Sequence, residues 1–147
     1  MRVGVAADHA GVGLKDALAA HLRAAGREVV DFSPAVTDPS DDYPLILVPL
    51  ARAVAAGTVD RAIFCCGSGI GPAVAANKIA GVRAAVVGDE WSARDAVEHV
   101  DVNLLTMGER VIGVEIAKSI ADAYVGATVQ GGRHERRRGQ IADLEKR

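Results

Sequence analysis

The stretch Arg61-Ala62-Ile63-Phe64-Cys65-Cys66-Gly67-Ser68-Gly69-Ile70-Gly71-Pro72-Ala73-Val74-Ala75-Ala76 (residues 61–76) decides the fold. Its first six residues form a short apolar run closed by glycine, the pattern of a strand buried on both faces. The glycines of 67–71 turn the chain, and 71–80 carry a helical pattern. Working outward, β-branched runs recur at Val3–Ala7, Glu28–Phe32, Val82–Val87 and Val102–Thr106, each bounded by Gly, Asp, Ser or Asn. Helical spacing fills the gaps, with Leu14, Leu18, Leu22 and Ala25 in Gly11–Gly26 and Ile116, Ile120 and Tyr124 in Gly113–Ala127. Pro44–Gly57 and Glu90–His99 complete the set. Five strands alternating with five helices predict an α/β protein whose parallel sheet is covered on both faces.

The length, 147 residues, suits one domain over 1–147. Half of the residues are apolar, which excludes a disordered chain, and the formal net charge of −2 argues against wholesale binding to nucleic acid or an anionic membrane. Cys65 and Cys66 are adjacent, so their side chains point to opposite faces and do not make a disulfide scaffold. Met1-Arg2 runs straight into the first strand without a signal-peptide pattern, and no apolar stretch reaches membrane-spanning length. The expected location is the cytoplasm. Two segments break the alternation. Ser33–Asp42 is a turn-rich loop with two prolines, and the tail 130–147 holds a polar helix whose apolar residues are Ile141 and Leu144. With so little surface of its own to bury, that helix is expected to pack on a partner subunit.

Ligands of open parallel sheets bind outside the carboxyl ends of the strands. There the chain carries Asp8-His9-Ala10-Gly11, Cys66 with Gly67-Ser68-Gly69-Ile70-Gly71, Gly88-Asp89 and Gly108-Glu109-Arg110, and Glu98-His99-Val100-Asp101 is grouped with them. Three glycines in five residues let backbone N–H groups approach a phosphate or an enediolate oxyanion; the same loop also serves as a plain tight turn. A thiol beside a helix N-terminus carries more thiolate than a free one, making Cys66 a base or nucleophile, or else a small buried hydrophobe. Asp8 and His9 offer an acid–base pair or a helix cap, and His99 a catalytic imidazole or a cation on a helix C-terminus. Arg133 and Arg137, four apart, form a phosphate clamp or one face of a solvated basic helix, and Arg110 could join them. An RNA surface would want more stacking platforms than five aromatics supply.

Taken together and in order, these segments resemble the ribose-5-phosphate isomerase B family, which includes the galactose-6-phosphate isomerase subunits. The resemblance also draws on Asp42-Tyr43-Pro44, Ala75-Ala76-Asn77-Lys78, Asp101, Asn103, Arg110-Val111-Ile112-Gly113 and Gly131-Gly132-Arg133-His134. It implies a Rossmann-like three-layer α/β/α sandwich and a homodimer, sometimes paired into tetramers, with active sites shared between subunits. The implied reaction interconverts ribose 5-phosphate and ribulose 5-phosphate without metal or cofactor. Cys66 would move the proton between C1 and C2, and Ser68 would bond the O1 and O2 oxygens. The N–H groups of Gly67, Ser68, Gly69, Ile70 and Gly71 would hold the cis-enediolate. His99, helped by Asp8, would open the furanose ring, while His9, Arg110, Arg133 and Arg137 would bind phosphate.

Two positions are informative against that pattern. One branch of the family places a glutamate base where this chain has Pro72, which leaves Cys66 as the base. The family commonly has asparagine after the ring-opening histidine, and this chain has Val100. Losing an oxyanion donor costs on the order of 3 kcal/mol. Val100 therefore keeps open a different substrate, such as a tetrose 4-phosphate, allose 6-phosphate or galactose 6-phosphate, or an inert phosphosugar-binding module.

Overall fold

The computed structural model describes residues 1–146. Five strands, β1 (Arg2–Ala7), β2 (Glu28–Asp31), β3 (Arg61–Cys66), β4 (Ala84–Val86) and β5 (Leu104–Gly108), pair in parallel in the order β2-β1-β3-β5-β4. The helices are α1 (Val12–Ala24), α2 (Tyr43–Ala55), α3 (Ile70–Ala76), α4 (Glu90–Val100), α5 (Val114–Gly126) and α6 (Arg133–Asp143), with a 3₁₀ turn at Leu144–Lys146 after them.

Alternation along the strands builds two cores. Val3, Val5, Ile63, Cys65, Leu105 and Met107 face Leu14, Leu18 and Leu22 of α1, Val97 of α4, and Ile120 and Tyr124 of α5. Ala6, Ala62, Phe64, Cys66 and Leu104 face Leu47, Leu50 and Val54 of α2 and Ala76 of α3. The adjacent cysteines thus part to opposite faces, and the three-layer sandwich results from a period of two. Ile116 departs from the predicted buried set. It is 55% exposed, and α5 instead seats the small Ala117 and Ala121 beside Ile120.

Strand boundaries differ where side chains replace strand neighbours. β4 is three residues long rather than the six predicted, and the Asn77 side chain takes over part of its ladder. Asn77 Nδ2 donates to the Ala84 carbonyl at 2.9 Å, and its Oδ1 accepts the Ala84 N–H at 2.8 Å. Asn103 ties the next turn, accepting the Arg83 N–H at 2.8 Å and donating to the Gly81 carbonyl at 2.9 Å. Asp101, left-handed at φ 56°, holds the Arg83 guanidinium at 2.7 Å. Three residues of the family pattern are therefore explained by a short edge strand that needs side chains to complete its hydrogen bonding.

The tail helix is anchored within its own chain. His134 is the buried residue of α6; it lies against α4, while Ile141 and Leu144 remain 43% and 57% exposed. Arg138 closes the contact by donating to the carbonyls of His99 at 3.2 Å and Gln130 at 2.9 Å. Asn77→Ala is expected to cost about 1–2 kcal/mol through two lost hydrogen bonds, read as a lower urea midpoint at unchanged slope.

Candidate active site

The crevice forms where the connections from β1 and β3 depart to opposite sides of the sheet. β3 ends in Cys66, buried at 5% exposure, whose Sγ accepts the Gly69 N–H at 3.0 Å. Gly69 stands at φ +83°, a left-handed turn that brings that N–H back onto the sulfur. The end of β5 clamps the loop, with Glu109 N–H on the Cys66 carbonyl at 2.8 Å and Arg110 N–H on the Gly67 carbonyl at 3.1 Å. So close is this approach that a Cβ on Gly108 would lie 2.6 Å from the Ser68 carbonyl carbon. Ser68 and Ile70 are exposed at the rim, with the Ser68 hydroxyl accepting the Ile70 N–H at 3.3 Å. The Arg110 guanidinium lies over Gly67, with Nη1 3.4 Å from where a Cβ would stand.

The β1 end supplies the facing wall. Asp8 is 7% exposed, and its Oδ1 accepts the Ala10 N–H at 2.9 Å. Burial pushes its carboxyl above the ordinary value of 3.8. His9 stands outward, its Nδ1 2.5 Å from Asp41 Oδ1, and that hydrogen bond raises the imidazole above its ordinary value. Asp41, Tyr43 and Glu109 were not singled out by the sequence. The Tyr43 hydroxyl is 2.5 Å from where a Cβ on Gly71 would stand, and Glu109 Oε2 accepts the Leu14 N–H at 2.9 Å, capping α1 from another strand. Asp42-Tyr43-Pro44 marked Tyr43 only as part of a pattern, which includes Asp42 but not its neighbour Asp41. Among the described residues, Asp8, His9 and Asp41 have ligand-type atoms within 4.8 Å of one another, a spacing that a metal ion could bridge. Hydrogen bonds already occupy a donor atom of each.

The other predicted residues lie elsewhere. Sequence reading groups the end of α4 with the carboxyl edge, and the structure corrects this. In a parallel sheet each crossover helix runs back against the strands, so α4 starts beyond β4 and ends before the first residue of β5. His99 and Val100 therefore sit at the amino edge, separated from Cys66 by the length of β3, roughly 17 Å at about 3.3 Å per residue. There His99 Nδ1 meets Asp95 Oδ1 at 2.5 Å, and its ring stacks on His134 with centroids 3.9 Å apart. Arg133 and Arg137 are exposed on α6 beside them. Val100 is half-buried and lines a cavity of about 530 Å³ with Val82, Val102, Ile141 and Leu144. One chain thus carries two polar clusters on opposite edges of the sheet. The carboxyl edge holds a thiol, a hydroxyl, an acid, an imidazole and the N–H groups of the glycine loop; the amino edge holds the stacked imidazoles of His99 and His134 and the exposed side chains of Arg133 and Arg137.

On this fold, a thiol beside backbone N–H groups, with carboxyl, imidazole and guanidinium groups near it, has the chemistry to exchange protons and to bind an anion. The chain matches the Ribose/Galactose Isomerase family over residues 3–141. It is 42% identical to ribose-5-phosphate isomerase B of Escherichia coli K12, covering 99% of this chain and 97% of that protein. It is 36% identical to a D-erythrulose-4-phosphate isomerase of Pectobacterium atrosepticum, over 90% and 87% of the two chains. The crystal structure of ribose-5-phosphate isomerase B from Mycoplasma genitalium with bound ribulose-5-phosphate matches with a TM-score of 0.94 at 36% identity, covering 99% of this chain and 96% of that one. The chain belongs to the ribose/galactose isomerase family, and it is an enzyme of the sugar-phosphate isomerase type. No helix among the described residues is long and apolar enough to cross a membrane.

The amino-edge cluster carries its own pH dependence. Burial, then the neighbouring His99 and the arginines 133, 137 and 138, hold His134 below the ordinary imidazole value of 6.5. The Arg133 Nε–H accordingly points at His134 Nε2 as an acceptor, 3.4 Å away. The unfolded imidazole binds its proton more readily than the folded one, so docking of α6 is complete above that value and weakens as pH falls below it. Hydrogen-exchange protection factors of α6 amides are expected to drop between about pH 7 and pH 5 and to lose that dependence in His134→Phe.

Proposed function

We propose that this enzyme interconverts ribose 5-phosphate and ribulose 5-phosphate through a cis-enediolate with Cys66 as the base. The observation that carries this reading is the Cys66 sulfur, nearly buried at the end of β3 and turned toward the glycine loop, where it accepts the Gly69 N–H. In the open-chain aldose, the thiolate removes the proton from C2 and returns it to C1, while a proton passes from O2 to O1. Nothing is gained or lost overall. Ser68 bonds the two oxygens, and N–H groups from Gly67 to Gly71 meet the charge that develops on them. Such preformed donors cost no reorganisation during the step.

The separation of the two clusters supports a site shared between copies. Cys66, Ser68, Asp8, His9 and Arg110 of one copy would face His99, Arg133 and Arg137 of a second, as a homodimer or a pair of dimers. The exposed face of α6, with Ile141 and Leu144, is then surface for that partner. His99 opens the furanose ring, with Asp8 assisting from across the interface; its burial-raised carboxyl suits proton exchange. His9, Arg110, Arg133 and Arg137 take the phosphate dianion between them. A second reading, a tetrose 4-phosphate as substrate, draws on the D-erythrulose-4-phosphate relative and on Val100, which cannot read a substrate hydroxyl.

Proton NMR of the purified enzyme with ribose 5-phosphate in heavy water is expected to show ribulose 5-phosphate with deuterium at the transferred position. Cys66→Ala should abolish it, and surviving turnover would remove Cys66 from the role. Turnover of erythrulose 4-phosphate alone would move the assignment to the second reading. Mixed Cys66→Ala and Arg137→Ala chains should recover about one quarter of wild-type activity, since half of the random dimers each keep one intact site. No recovery with subunit exchange confirmed would place the whole site in one chain. Val100→Asn is expected to raise kcat/KM on ribose 5-phosphate by up to about a hundredfold, the worth of one oxyanion donor.

A further inference from the structure

We propose that Asp41 is a positioning residue for the phosphate end of the site, fixing His9 as a cation with its Nε2–H directed outward. The proposal rests on the reading that His9 receives the phosphate. Asp41 grips His9 twice, its Oδ2 accepting the His9 backbone N–H at 2.9 Å and its Oδ1 facing Nδ1 at 2.5 Å. One carboxylate thus sets both the backbone and the ring of a residue 32 positions away. Asp41 is 11% exposed at its side chain and His9 37%, so the carboxylate backs the ring from inside while the ring meets solvent.

The chemistry of imidazole makes this arrangement consequential. Neutral imidazole with its proton on Nδ1 would present a bare lone pair at Nε2, which repels a phosphate oxygen. Only the doubly protonated ring donates to Asp41 and to phosphate at once. Three charged groups bear on that state. Asp41 and Asp8 favour the cation, Arg110 opposes it, and His9 in turn acts on Asp38 across the same loop. Since Arg110 is itself a phosphate ligand in this reading, two cations must share one small space before substrate arrives. Asp41 is the counter-charge that keeps His9 protonated there.

Asp41 has its own support. Its N–H donates to the Asp38 carbonyl at 3.0 Å, and Asp38 Oδ1 accepts both the N–H and the hydroxyl of Ser40 at 2.9 and 2.7 Å. The turn-rich loop 33–42 therefore does a specific task, carrying a carboxylate to the end of β1.

The test compares wild type, Asp41→Asn, Asp41→Glu and His9→Gln by NMR titration of the His9 ring and by binding of inorganic phosphate. In Asp41→Asn the His9 midpoint should fall by about one unit or more, the size of a lost charged partner. Phosphate affinity and KM should then weaken about tenfold near pH 8 yet approach wild type near pH 6, with kcat little changed. Asp41→Glu, which keeps the charge, should restore most of the pH profile. An unmoved His9 midpoint in Asp41→Asn overturns the proposal. Unchanged phosphate binding in His9→Gln overturns the phosphate reading beneath it, whichever way the midpoint moves.

Discussion

The constraint on which everything else depends is the parallel pairing of all five strands. A chain that leaves one strand at the carboxyl edge must return to the amino edge before it can start the next, so each connection crosses the whole sheet. Helices α1 to α4 are those return journeys. The chemical content of the chain is accordingly sorted to two edges. Residues just past the end of one strand meet those just past the ends of its neighbours, and residues just ahead of a strand gather at the opposite edge. Cys66, Asp8, His9 and Arg110 stand at strand ends. His99 precedes β5, and α6 folds back onto it through the His99–His134 stack. A polar helix with one buried residue is a poor contributor to its own chain's core, but it carries the exposed Arg133 and Arg137 next to the residue that makes that stack.

At the carboxyl edge, the same parallel register determines how tightly the reactive loop is held. Cys66 lies opposite Gly108 in the β3–β5 ladder, so the two strands end together and their loops collide unless both lack side chains. Gly108 removes the obstruction and Gly69 supplies the left-handed turn. The carbonyls of Cys66 and Gly67 then accept the N–H groups of Glu109 and Arg110, which fixes the peptide planes of the loop. Preorganisation of this kind is what makes donor groups effective toward developing charge. Glu109 illustrates the economy of the edge, since the residue whose N–H clamps the loop also caps α1 with its carboxylate.

Much of the chain's organisation was legible without coordinates, because strand and helix periods are local properties. The run Ile63–Cys66, the glycines behind it and the leucines of α1 each carry their environment in their spacing. The edge strand was less legible. Val82 and Val102 are buried apolar residues that look like strand, yet the ladder begins later because Asn77 and Asn103 occupy the hydrogen bonds a longer strand would use. A side chain standing in for backbone leaves no periodic trace. The same holds for Asp41, one of several acidic residues in an aperiodic loop, whose role arises from the place where that loop lands.

By itself, then, the sequence determined the layer order of the sandwich, the assignment of Cys65 and Cys66 to opposite faces, and the set of polar residues available for chemistry. These stem from side-chain period, glycine freedom and the lack of any longer apolar run. Only the tertiary structure decided that His99 stands an entire strand length from Cys66, that Asp41 reaches His9, and that α6 rests on α4 through His134 and Arg138. The physical reason is that such contacts depend on strand direction and on where loops return. Those are properties of the assembled sheet, and no local stretch of chain encodes them.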